Sequence, residues 1–599
     1  METHKNTTKK ALKGGEFLIA ETKCIDVFIP EEWDEEQLMI AQTNRDFIEK
    51  EIWPLLDRID SHEEGLTVEL LNKAGALGLL GISIPEKFGG FGKDFNTSLL
   101  ATEANGSGYS FTVSMAAHTG IGTLPVYYYG NEAQKNKYLP KLASGEWKAS
   151  YCLTEPGSGS DANSGKTQAK PSADGKFYMI NGQKMWITNA GFADIFIVFA
   201  KIEDDKNLSA FIVEKEFGGI TLNPEEKKMG IKGSSTCQVF FNDCKVPAEN
   251  LLGEREQGFK IALNILNIGR IKLAAACVGG CKNIISLAVK YANEREQFGM
   301  SISKYGAIKH KLAEQAIRTF AAESATYRCG QNIDDAIKVY QEEGMDEAAA
   351  KLKGVEQFAI EAAILKVFGS ETIDFVIDEG VQIYGGMGYS ADAPMERGYR
   401  DSRINRIFEG TNEINRMLTI DMIMKRAMKG ELDLMTPAKA VADELLAVPD
   451  FGDADTSLFA VEKKYLSNFK KAVLMTAGSA AQKLMMELAK QQEILMNLAD
   501  MLIDVYTAES ALLRVEKLVG IKGEAESAVY LDMVRVFIND AADRINKNGK
   551  DALNGFAEGD ELRMMLMGLK RFTKVEPYNA KEARRRIAAK LIDANQYCF

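Results

Sequence analysis

Hydrophobic periodicity changes twice along the chain, and the order of those changes excludes most architectures. From about residue 35 to 148 apolar residues recur three and four apart, as in EEQLMIAQTNRDFIEKEIWPLLDRID, which marks one buried helix face. Near residue 148 the texture switches to KFYMINGQKMWITNA, DIFIVFAKI, LSAFIVEKE and TCQVFFNDCKV. These are short runs rich in β-branched and aromatic residues, bounded by Gly, Asn and Asp, and they read as strands. Helical spacing returns after KVPAENLLGE and runs to about 428. Helical, then β, then helical is not an alternating βαβ chain. It predicts a mainly α, three-lobed protein with a central β domain: an N-terminal segment (1–34), a helical domain (35–148), a β domain (149–254) and a helical domain (255–428). The Pro- and Asp-bearing stretch 429–456 reads as a linker, and 457–599 as a further helical extension.

The extension carries a faint echo of the preceding block. IKHKLAEQAIRTFAAESATYR, from Ile308, aligns with ILMNLADMLIDVYTAESALLR, from Ile494, at 9 identities in 21 positions, including Glu323/Glu509, Ser324/Ser510 and Arg328/Arg514. Two readings stand: a duplicated bundle whose second copy lost its chemistry, or two unrelated helices with similar heptads.

Charge and cysteine usage narrow the function classes. The net charge of −12 argues against a general nucleic-acid binder. No run of 18 apolar residues reads as a membrane span, and the amino end lacks a secretory core. The eight cysteines form no CxxC pair, and none of the four histidines falls in a metal-ligand spacing, so no metal is expected. Scattered thiols suit a reducing compartment, read as the bacterial cytoplasm. No GxSxG elbow marks a serine hydrolase.

Three clusters could carry chemistry. YCLTEPGSGSD, from Tyr151, contains GxGxxA (Gly157, Gly159, Ala162), but the polar, turn-rich sequence after it is not the helix a dinucleotide fold requires. The loop is either a surface turn or a set of backbone N–H groups and hydroxyls for a phosphate or heteroaromatic edge. Trp186-Ile187-Thr188, at a strand end, either packs in the core or stacks on a flat cofactor. In QIYGGMG, from Gln382, the glycines permit close backbone approach. In RIFEGTNE, from Arg406, Glu409 lies between Phe408 and Gly410, either as a solvated carboxylate or as a base with a raised pKa.

Taken in order and at these spacings, YCLTEPGSGSDA, MWITNA, NEREQFG, QIYGGMGY and IFEGTNEINR resemble the acyl-CoA dehydrogenase family over about residues 35–428. The carboxyl-terminal block and the KGGEFLI segment resemble its very-long-chain branch. The resemblance implies a helical domain, a β-barrel domain (149–254) and a four-helix domain around FAD, and an acyl-CoA substrate, with Glu409 removing the α-proton and the β-hydrogen leaving as hydride to the flavin. The product is a trans-2-enoyl-CoA, and the thioester oxygen is held by the base's own N–H and a ribityl hydroxyl. The resemblance places Tyr151, Leu153, Thr154, Gly159, Ser160, Trp186, Ile187 and Thr188 around the flavin. Arg295, Phe298, Gln382, Gly385, Gly386, Thr411 and Glu413 fall at a FAD-diphosphate and adenine site shared across a dimer. Ser160, Asn267 and Arg270 contact the CoA arm, and Phe408 and Gly410 lie beside the substrate. Some relatives carry the base just before the motif arginine; here that position is Gly269. Ala117, within Val113–Gly122, stands where a glutamate closes the pocket floor of the medium-chain branch, so a long acyl chain is expected, unless the small residues there merely let two helices pack. The implied partners are an electron-transfer flavoprotein and a second copy in a homodimer. Docking at the inner membrane surface is the less favoured alternative to a freely cytoplasmic protein. An acyl-CoA oxidase, or a non-catalytic assembly protein on the same fold, are the competing functions.

Overall fold

The computed structural model describes residues 12–446 and 457–599. The first eleven residues and most of VPDFGDADTS lie outside the described residues. The amino-terminal helices begin where polar caps satisfy their free N–H groups: Asp34 and Asn131 each form a capping box, with Gln37 and Gln134. Between Ser144 and Gly258 the chain forms an eight-stranded mixed sheet. Its hydrogen-bonded path runs Ile220–Leu222, Thr236–Pro247, Phe177–Thr188, Gln168–Pro171, Ile195–Ile202, Ser209–Glu214 and Leu251–Leu252, and Ala149–Cys152 adds in parallel to Ile195–Ile202. Strand Ile195–Ile202 is apolar on both faces for a reason. Ile195, Ile197 and Phe199 pack into the helical core, while Phe196, Val198 and Ala200 fill the sheet's own core.

The helical domain is built on Gly258–Glu294, Gly306–Glu342, Ala359–Tyr384 and Asn412–Met428. The first of these is long and apolar enough to cross a membrane by length and composition, unlike the reading from apolar runs, but 72% of its apolar window is buried inside the protein. The extension adds Ala460–Leu484, Gln492–Lys522, Glu524–Asn554, Gly559–Phe572 and Ala580–Ala594, and one continuous core joins both blocks.

Part of the expected linker is ordered: Met435–Leu446 is a helix. Pro437, read as a linker sign, sits in its first turn, where a missing N–H does no harm, and Asp433 accepts from the Thr436 N–H.

The amino-terminal residues act as a strap between the blocks. The Gly15 N–H donates to Glu361 (2.7 Å), Phe17 meets Tyr506 edge-on (4.8 Å), and Glu31 pairs with Arg514 (2.7 Å). A side chain at Gly14 would sit 2.0 Å from the Gln357 carbonyl, which explains one glycine of KGGEFLI.

Candidate active site

Glu409 terminates a tight loop just ahead of the Asn412–Met428 helix. Both Glu409 (φ 59°) and Gly410 (φ 80°) adopt left-handed backbone, which is strained for a glutamate and is held by its surroundings. Arg270 Nε and Asn415 Nδ2 both donate to the Glu409 carbonyl, at 3.2 and 3.3 Å. Lys366 Nζ donates to the Gly410 carbonyl and to Asn412 Oδ1, each at 2.7 Å. Thr411 caps the helix by accepting from the Ile414 N–H.

The carboxylate points into a cavity of about 250 Å³. Its Oε2 is buried without a hydrogen-bond partner. Burial pushes the Glu409 pKa up to about 7, while Arg270 and Lys366 pull it back. Gly269 faces this carboxylate so closely that a Cβ there would lie 2.9 Å from Oε2. The position that could have carried an alternative base is therefore occupied by the carboxylate of Glu409 itself. The Glu409 N–H donates to no group among the described residues.

The cavity runs along one face of the Gly258–Glu294 helix and is lined by Thr188, Phe408 and Ala117 among others. The small residues of Val113–Gly122 do two different things. A Cβ on Gly120 would meet nothing within 4 Å, whereas one on Gly122 would strike Ala149 at 2.6 Å. Gly120 opens space; Gly122 lets elements pack. His118, two residues before Gly120, is neutral: burial lowers its pKa to about 4, and it links the Leu142 carbonyl to the Ala149 N–H.

The loop after Tyr151 is set by a buried carboxylate. Glu155 accepts from Lys184 (2.7 Å) and from the N–H groups of Lys166 and Thr167. Lys184 also reaches the Leu153 carbonyl, and Thr154 accepts from the Met185 N–H. Gly159 and Ser160 are exposed, and only a single turn, Ala162–Ser164, follows. Tyr151 is buried with its hydroxyl unpartnered, and burial together with the charge of Glu409 raises its pKa. Trp186 is not a core tryptophan. A bulge between Lys184 and Ile187 and a φ of 62° turn it out, 49% exposed, while Ile187 stays buried.

Arg295, Phe298, Gln382, Gly385 and Gly386 gather elsewhere, all exposed, where Tyr291 stacks on Tyr384 (4.0 Å) at the ends of two long helices. Glu413 is exposed in the first turn of its helix. Asn267 and Arg270, expected at the CoA arm, are buried and bonded to each other (2.8 Å), with Arg270 serving the Glu409 loop. Sequence reasoning missed Lys366, Asn412 and Asn415. A lysine inside the apolar run AAILKVFG was the available signal.

Family profiles described as acyl-CoA dehydrogenase N-terminal, middle and C-terminal domains match residues 34–146, 150–244 and 256–424, and another C-terminal-domain profile of that family matches 468–571. The chain belongs to the acyl-CoA dehydrogenase family. It is 45% identical over 98% of both chains to a probable acyl-CoA dehydrogenase of Bacillus subtilis. It is 46% identical to the human mitochondrial very long-chain specific acyl-CoA dehydrogenase over 57% of this chain and 51% of that protein, so it spans about half of that relative. Its structure resembles that of a Bacillus anthracis acyl-CoA dehydrogenase complexed with FAD, with a TM-score of 0.95 at 46% identity, covering 98% of this chain and 100% of that one. The butyryl-CoA dehydrogenase of Megasphaera elsdenii matches at 35% identity and a TM-score of 0.59, over 66% of this chain and 99% of its own.

Proposed function

We propose that this protein converts a fatty acyl-CoA thioester to the trans-2-enoyl-CoA, as a dehydrogenation step of β-oxidation, with FAD as cofactor. The observation that carries the reading is Glu409: a carboxylate with one unpartnered oxygen, at the wall of a largely apolar cavity, with a pKa of about 7. A base tuned near neutrality can take an α-proton and return it. The loop aims the carboxylate, Arg270 and Asn415 fix its carbonyl, and the free Glu409 N–H is available to the thioester oxygen as negative charge develops there. The apolar walls exclude water from the reacting carbons.

The residues present suit a flavin. Trp186 is turned outward, Thr188 lines the cavity with Glu409, and a Cβ at Gly157, Gly159, Gly385 or Gly386 would meet nothing within 4 Å. When bound, FAD supplies the acceptor for the β-hydrogen. The exposed Arg295 lies 26 residues beyond Gly269 on or at the end of one helix, about 39 Å along its axis. One dinucleotide does not bridge that distance, so Arg295, Phe298 and Gln382–Gly386 are read as serving the cofactor of a second copy. This supports a homodimer, and light scattering tests it: a mass near one or four chains overturns it.

The finer reading is a long-chain enzyme of the bacterial cytoplasm that passes electrons to an electron-transfer flavoprotein. Anaerobic bleaching of the flavin by acyl-CoAs of four to eighteen carbons tests the reaction and the chain length together. Failure of every chain to bleach the flavin removes the reading. Stoichiometric peroxide in air, without turnover on an electron-transfer flavoprotein, transfers it to the oxidases.

A further inference from the structure

The cavity beside Glu409 is not uniformly apolar. Gly269, Leu273, Ala276 and Cys277 present one face of the Gly258–Glu294 helix to it, and Lys272 shares that face. Lys272 is half-buried at the cavity wall. Burial alone lowers its pKa, to about 8, with no acid acting in the opposite direction. Its ammonium makes no hydrogen bond or ion pair among the described residues.

Among the described residues, the lysines buried elsewhere in the protein are matched. Lys184 has Glu155 and the Leu153 carbonyl, Lys282 has Glu103 and Glu323, and Lys366 has Asn412 and the Gly410 carbonyl. Two further unpartnered polar atoms, Ser98 Oγ and Asn105 Oδ1, belong to residues of the same cavity wall. An ammonium enclosed by hydrocarbon without a partner is strongly unfavourable. A plain alkyl chain filling the cavity would displace water and leave it so.

We propose that Lys272 recognises an oxygen function, carboxylate or hydroxyl, carried on the acyl chain beyond its β-carbon. Functionalised acyl-CoAs are then the preferred substrates over plain saturated ones of equal length. The inference rests on the dehydrogenation reading and names its substrate class. Position supports it. Gly269 abuts the Glu409 carboxylate, and Lys272 begins three residues further along the helix, about 4.5 Å by its rise. Its four-carbon stem extends the reach, so the ammonium meets the chain several carbons past the reacting bond. Ser98, in the helix Phe95–Ala104, and Asn105, just after it, add a donor and an acceptor on the cavity wall, which suits an oxygenated chain.

The test compares dodecanoyl-CoA with its ω-carboxyl and hydroxylated counterparts on the holoenzyme, reading kcat/KM by anaerobic flavin bleaching. The wild type should favour an oxygenated chain by at least about tenfold, the range of a charged hydrogen bond. The larger gain tells carboxylate from hydroxyl. Lys272→Met should abolish the preference and improve the plain chain, and Lys272→Arg should keep most of it. A wild type that favours the plain chain overturns the proposal, as does a Lys272→Met variant that lowers all chains equally. Loss of flavin from Lys272→Met would put the amine on the cofactor and overturn it too. No bleaching by any chain in the wild type removes the dehydrogenation reading and this inference with it.

Discussion

The two helical blocks, 255–428 and 457–599, share a packing plan and differ in chemistry. Their contacts are reciprocal. Arg328 bonds Glu509 and Ser510, and Arg514 bonds Glu323 and Ser324, each arginine reaching the equivalent pair in the other block. A second layer repeats the exchange. Arg416 bonds Glu371 of its own block and Asp500 of the other; Arg584 bonds Asp540 of its own block and Glu314 of the other. Phe368 meets its counterpart Phe537 edge-on. Such exchange is the signature of an isologous two-fold interface, here formed within one chain. It favours duplication over chance likeness of heptads. The helices Asn412–Met428 and Ala580–Ala594 are both capped in the same place, by Thr411 and Asn579. Counting back from those caps, Glu409 corresponds to Pro577 and Gly410 to Tyr578. Lys366, which holds the Glu409 loop, corresponds to Arg535, which pairs with Glu462. The charges that match the two surfaces recur in 457–599; Glu409 and the residues that hold its loop do not.

The largest effect should come from breaking the reciprocity. Arg514 and Glu323 are 2% and 3% exposed at their side chains, so Arg514→Met leaves Glu31 and part of Glu323 without a cation. The expected loss is about 3–5 kcal/mol by urea denaturation. Arg328→Met should lose a similar amount; a loss below about 1 kcal/mol in either variant would make the two-fold geometric but not energetic. Next is the chemistry, confined to one block. Glu409→Gln should retain flavin and lower turnover at least ~10², while Pro577→Ala should leave turnover unchanged. Wild-type rates in Glu409→Gln would remove the base from this site. In the wild type, Glu409 must be deprotonated to act, so kcat/KM should fall roughly tenfold per pH unit below about 7 and level off above it. Its raised pKa means that the native state holds a proton between the ordinary value, 4.5, and about 7 that the unfolded chain has released. Stability from this group is therefore lost as pH rises through that window, and Glu409→Gln should melt higher than wild type at pH 8 but not at pH 4.5.

How much of this was legible in the sequence depended on whether a feature is local. The strands of 149–254 and the reacting loop were readable because alternation and Gly-flanked motifs act over a few residues. The repeat showed in one helix pair, since Arg328 and Arg514 stayed identical. The second layer, Glu371/Asp540 and Arg416/Arg584, lay in helices too diverged to align without coordinates. Met435–Leu446 was hidden because Pro437 signals a break equally well in a linker and in a helix's first turn. Trp186 could not be placed from its strand: only the bulge after Lys184 decides whether it faces in or out. Lys366 and Asn415 act across the fold, and nothing near them in sequence names Glu409 as their target.

The smallest expected effect separates two cavities whose walls differ in character. The one at the seam, about 240 Å³, is walled by Glu371, Arg416, Asp500, Asp504 and Arg544. The one beside Glu409 is mostly apolar and opens at Gly120. If an acyl chain occupies that opening, Gly120→Leu fills it with groups the chain would otherwise displace. The glycine has no left-handed φ, so the substitution strains no backbone. Each methylene excluded forfeits roughly 0.8 kcal/mol of burial. The optimum should move down by two to three carbons, with kcat/KM for the longest chains falling about tenfold or more and shorter chains little changed. An unmoved chain-length profile would place the acyl tail elsewhere in the cavity and leave Ala117, rather than Gly120, as the residue that sets its depth.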